Sequence, residues 1–117
     1  MSGQAGPNVI SDSLVMCIDA ANKVSYPGSG TIIYDIGSSQ LSGSLLNGAA
    51  FSNDNIGSIS FDGSNDYIDM ETFPAIDFSN GFTIESVAKF NSTAAWQRII
   101  DFGNGVFGRK PYIYFLI

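Results

Sequence analysis

Residues 82–90 read as one long extended strand. Phe82, Ile84, Ser86, Ala88 and Phe90 fall on one side of an extended chain, and Thr83, Glu85, Val87 and Lys89 on the other. A period of two marks a strand with one face in a core and one in solvent. The period recurs in shorter pieces: Ser58-Ile59-Ser60-Phe61 and Tyr67-Ile68-Asp69-Met70 alternate in the same way. Between them, Asp62-Gly63 predicts a tight hairpin, because Gly63 takes positive φ without steric cost. Residues 14–20 are apolar almost throughout, the pattern of a strand covered on both faces. Residues 31–34 are β-branched and aromatic, and 98–102 and 112–117 complete the set of strands.

Turn formers separate these pieces. Residues 22–30 hold Ser25, Pro27, Gly28, Ser29 and Gly30, and 38–48 read as a serine- and glycine-rich loop with one short strand. Only 92–97 could form a turn of helix. Residues 1–12, polar and containing Pro7, read as an N-terminal arm ahead of one domain over 13–117. Short strands at intervals of roughly ten residues predict an all-β fold, an antiparallel β-sandwich or jelly roll. Phe61, Ile68, Phe82, Ile84, Phe90 and Ile100 are expected in its core.

Charge narrows the function classes. Charged residues make up 14% of the chain, against about 25% in a typical globular domain, so much of the surface is expected to be covered by a second sheet or other subunits. The net charge is −6, with only Lys23, Lys89, Arg98, Arg109 and Lys110 as cations. That set cannot neutralise a run of phosphates, which argues against nucleic acid, and it offers nothing to an anionic membrane. The start lacks the basic and apolar regions of a signal peptide, and no apolar run is long enough to span a bilayer as a helix.

There is no histidine, which removes the commonest general base, nucleophile partner and transition-metal ligand. The lone Cys17, among Val15, Met16 and Ile18, reads as a covered, inert thiol. The two glutamates, Glu71 and Glu85, lie on different predicted elements; a glycosidase needs two carboxyl groups facing each other across the sugar. No catalytic residue, cofactor or enzymatic activity is expected.

At this point three segments carry a resemblance. The stretch from Gly57 through Phe61-Asp62-Gly63-Ser64-Asn65-Asp66-Tyr67-Ile68 resembles a hairpin of laminin-G-like jelly-roll domains, relatives of the concanavalin A-like lectins and glucanases. Phe82-Thr83-Ile84-Glu85-Ser86-Val87-Ala88-Lys89-Phe90 resembles the family's long strand, with Val87 where the family has tryptophan. Ile99-Ile100-Asp101-Phe102-Gly103-Asn104 resembles the strand and turn that follow. The opening, Ile18-Asp19-Ala20-Ala21-Asn22-Lys23 with Ser25-Tyr26-Pro27-Gly28-Ser29-Gly30 and Tyr34-Asp35, is similar to a lead-in of jelly-roll domains in virion and tail-associated proteins of tailed phages.

The resemblance implies a concanavalin A-like sandwich and a virion location. Such domains continue for roughly another eighty residues, so the chain is expected to be incomplete: a fragment, or a subunit that completes its sheets with neighbours. The apolar run that includes Tyr112, Tyr114, Phe115 and Ile117 then reads as an open edge in a subunit contact. Asp62, Asn65 and Asp66, with Asp69, place four oxygen-bearing side chains close together, and some relatives bind calcium near such loops. The expectation is that Asp62 and Asn65 shape the turn while Asp66 faces water, rather than that they form a metal site. Asp101 with Asn104 is a looser acidic pair of the same kind. Trp96, in a polar loop, is expected either to pack at the sandwich edge or an interface, or to stack on a sugar.

Two functions follow as expectations. One is a non-catalytic virion protein (capsid decoration, cement or fibre-associated) that contacts other virion proteins or copies of itself. The other is a carbohydrate-binding module, calcium-assisted or not, for cell-surface glycans.

Overall fold

The computed structural model describes residues 12–70, 79–92, 95, 97–101 and 113–116. Among these the chain is all-β: strands β1 (Ile32–Tyr34), β2 (Ser42–Leu46), β3 (Ala50–Ser52), β4 (Ser58–Ser60), β5 (Tyr67–Met70), β6 (Arg98–Asp101) and β7 (Ile113–Leu116), with one 3-10 turn at Asp54–Ile56. Five strands form a sheet in the order β1-β2-β5-β7-β6, and β3 and β4 pair as a separate ribbon. Every pairing is antiparallel.

One face of the larger sheet carries the core. Ile33 of β1 lies opposite Gly43 of β2, and Gly43 and Leu45 lie opposite Met70 and Ile68 of β5. Because alternate residues share a face, Ile33, Leu45, Ile68 and Met70 are buried together with Tyr26 and Ala49. Phe51 of β3 and Ile59 of β4, themselves cross-strand partners, pack onto this cluster with Met16, Ile18, Leu41, Phe61 and Ile100. The Tyr26 ring stacks on Phe51 at 5.0 Å between centroids, and its hydroxyl donates to the Gly30 carbonyl. Tyr26 is thereby built into the core.

Two glycines are required by close approach. A Cβ on Gly43 would stand 2.4 Å from Met70 Sδ and 3.0 Å from Ile68 Cγ2, so the two buried side chains of β5 lie over the bare backbone of β2. Gly57, at φ +139°, ends the 3-10 turn where a Cβ would stand 2.7 Å from Ala21 Cα and 3.0 Å from the Ala20 carbonyl oxygen.

Several sequence expectations are corrected. The 62–66 loop does not close a hairpin: β4 pairs with β3, β5 pairs with β2 and β7, and the loop carries the chain from one sheet to the other. Residues 14–20 form no strand, but run beside 35–39 through single bonds such as Ile36 N to Cys17 O and Ser39 N to Val15 O. Residues 82–90 form no strand either, and Phe82, Ile84 and Phe90 are exposed rather than core. The places beside β5 are taken by β2 and β7, and the segment joins neither sheet among the described residues.

The same order corrects the expected open edge at the last strand. β7 lies between β5 and β6, with Phe115 opposite Ile68 and Tyr114 opposite both Asp69 and Asp101. Its backbone is flanked on both sides. Phe61 and Ile100 are half-buried against the core, and Ile68 is buried as expected.

Candidate functional site

The acidic loop is held by its own backbone. Asp62 Oδ1 accepts from the amides of Ser64 at 2.7 Å and Asn65 at 3.4 Å, the local bonding that makes Asp a turn former. Asp66 reaches back, its Oδ2 accepting from the Asp62 amide at 2.9 Å. Asn47 ties the loop to the end of β2 by donating its Nδ2 to the Asn65 carbonyl at 2.9 Å.

Asp66 is buried, 5% exposed, rather than facing water. It precedes β5 on the same face as Ile68 and Met70, and alternation turns it inward. Its Oδ1 is buried with no hydrogen-bond partner and sits 3.0 Å from where a Cβ on Gly48 would stand.

Part of the oxygen set is committed to the turn. Calcium takes six to eight oxygens at 2.3–2.6 Å, whereas here Asp62 and Asp66 each spend an oxygen on amides and Asn65 is exposed. Among the described residues no group of three or more His, Cys, Asp or Glu side chains is placed to hold a metal. Asp101 pairs with the Arg98 guanidinium; its expected companion Asn104 lies outside the described residues.

A second buried carboxylate went unnoticed in the sequence. Asp35, 7% exposed at the end of β1, accepts at Oδ1 from the amides of Cys17 at 2.6 Å and Gly37 at 2.7 Å, and at Oδ2 from the Ser39 hydroxyl. It fastens the lead-in to the turn between β1 and β2. The signal was present as Asp35-Ile36-Gly37-Ser38-Ser39, an acid followed by a glycine and serines that can donate to it. Ser25, fully buried, links the same elements by accepting from the Asp19 amide and donating to the Tyr34 carbonyl.

Cys17 beside this knot is half-buried, and its thiol pKa is raised, first by burial and then by the charges of Asp19 and Asp35. A thiol held protonated is a poor nucleophile.

The described surface is apolar in unusual places. Val87 is fully exposed, and Phe82, Ile84 and Phe90 of the same segment are exposed with it. Ile56, 91% exposed, sits at φ +63° on the 3-10 turn, an uncommon conformation for a β-branched residue. Glu85 and Lys89 are also exposed. Of the interface candidates, Trp96, Tyr112 and Ile117 lie outside the described residues, and Tyr114 and Phe115 lie on β7 inside the sheet. Glu71 lies outside them too.

No family model, curated protein or solved structure matches the chain.

Proposed function

We propose that the chain is a non-catalytic adhesion or assembly subunit of a tailed-phage virion, working as capsid decoration, cement or a fibre-associated part. Its sheets would belong to a jelly-roll sandwich of the concanavalin A-like kind. One observation carries the reading: residues 82–90 present exposed Ile84, Val87 and Phe90 in a chain with 14% charged residues. Exposed apolar side chains gathered in one segment offer an interaction surface, and contact surfaces need shape and apolar area rather than a positioned acid or nucleophile. The carboxylates with the firmest partners, Asp35 and Asp66, bind backbone amides, which is structural work. The similarity of 18–35 to a lead-in of phage virion proteins supplies the setting.

The experiment is mass spectrometry of phage particles purified from a lysate that carries the gene. The chain is expected in the particles in many copies. A chain that stays in the supernatant, and binds a glycan array with or without chelator, would replace this reading with a carbohydrate-binding module.

A further inference from the structure

We propose that residues 84–90 pair with the same residues of a second copy of this chain, antiparallel about Val87. The proposal rests on the assembly reading above and adds the surface, the partner and the register.

The segment has the composition of a strand but no ladder. Thr83, Ile84, Val87 and Phe90 are strand formers, and 82–90 contain no helix, turn or strand pairing among the described residues. Its side chains are almost all exposed, so a new strand meets no obstruction from its own chain at Glu85, Val87 or Lys89.

Charge selects the partner and the register. With Val87 opposite Val87 of the second copy, Glu85 lies opposite Lys89 and Lys89 opposite Glu85. On the other face Ile84 lies opposite Phe90, and Ser86 opposite Ala88. Every cross-strand position is then matched: two opposite-charge pairs, a central Val–Val contact, two aliphatic–aromatic pairs and two small pairs. Such pairs are the unit of sheet stabilisation.

Neighbouring registers lose this. Centring on Ser86 sets Glu85 opposite Val87, and centring on Ala88 sets Lys89 opposite Val87. A slip by one residue from the Val87 register sets Ile84 opposite Lys89 and crosses the faces. The segment is complementary to itself in one alignment, the condition for a two-fold, isologous contact.

The test uses light scattering on the eluted chain across a concentration series, with charge-swapped variants. The unmodified chain is expected to dimerise. Glu85→Lys sets lysine opposite lysine twice and should weaken the dimer by roughly tenfold, since like charges directly opposite are destabilising. The double variant Glu85→Lys with Lys89→Glu should restore it.

In a Cys17→Ala background, Val87→Cys should form an intermolecular disulfide on mild oxidation. Thr83→Cys should not, because its two copies stand roughly 26 Å apart in this register at about 3.3 Å per residue. Glu85, Val87 and Lys89 are exposed, so circular dichroism of the variants should match the parent. A chain that stays monomeric at every concentration overturns the pairing, while the assembly reading stands or falls on whether the chain is found in the particles. Self-association that ignores the charge swap, or a Thr83→Cys cross-link as ready as the Val87→Cys one, overturns this register alone.

Discussion

Removing the Asp35 carboxylate should loosen the junction of lead-in and first hairpin more than any surface change. Asp35→Ala strands three donors at once: the Cys17 and Gly37 amides on Oδ1, and the Ser39 hydroxyl on Oδ2. A buried donor left without a partner costs about 1–3 kcal/mol. Cys17, Gly37 and Ser39 are only half-buried, so water replaces part of the loss and the sum is expected at about 2–4 kcal/mol.

Asp35→Asn separates geometry from charge. The amide oxygen still accepts from Cys17 and Gly37, and the Ser39 hydroxyl turns to accept from the new NH2. Only the charge assistance goes, about 1 kcal/mol. Ser39→Ala removes one bond and should cost about as much. The Asp35→Ala and Ser39→Ala losses should sum to more than the double variant loses, because both delete the same bond. Equilibrium urea unfolding followed by circular dichroism reads all four, with an unchanged slope confirming that stability alone has moved. If Asp35→Asn proves as damaging as Asp35→Ala, acceptor geometry is not what the carboxylate supplies. If Asp35→Ala costs under about 0.5 kcal/mol, the junction holds without it.

Three further outcomes are expected. Gly43→Ala forces a methyl into Met70 and Ile68 and should cost about 1–3 kcal/mol in urea unfolding, as overpacking does; combined with Met70→Ala, the two losses should come to less than their sum, because the second removes the atom the first strikes. The raised Cys17 pKa means the fold favours the neutral thiol. That contribution is complete below the ordinary thiol value and fades as pH rises from there through the raised one, so Cys17→Ala should flatten the alkaline fall in stability. Millimolar calcium should leave the melting temperature unchanged; a rise abolished by Asp66→Ala would show that the buried Oδ1 takes a cation after all.

Local chemistry was legible in the sequence where it is decided locally. β1, β4, β5 and β6 stand close to where alternation and β-branched residues put them, β2 is the one short strand of the 38–48 loop, and Asp62 bonds the turn amides as its place before Gly63 suggests. Neighbours were not legible. Alternation says which side chains share a face, not which strand lies alongside, and Asp62-Gly63 bends a chain equally well into a hairpin or across to a second sheet. Residues 82–90 show this: the pattern is a strand's, but no strand of either sheet lies alongside among the described residues. Asp66 was misplaced because a charged residue next to a turn reads as solvated, and its reach back to the Asp62 amide depends on the loop's final shape. Asp35 escaped because two of its three donors, on Cys17 and Gly37, are backbone groups, which every residue carries.

The position of β7 also governs the order in which this protein can become itself. Among the described residues β7 fills one side of β5 and one side of β6, yet it is made last of the seven described strands. A ribosome adding about 5–20 residues per second leaves that side of β5 open for several seconds while the chain between them is synthesised. The nascent sheet meanwhile displays unpaired amides and carbonyls that any neighbouring chain can use. On a polysome, where identical chains emerge side by side, crowding and slow codons between β5 and β7 would raise the yield of entangled product. Faster translation through that stretch would lower it.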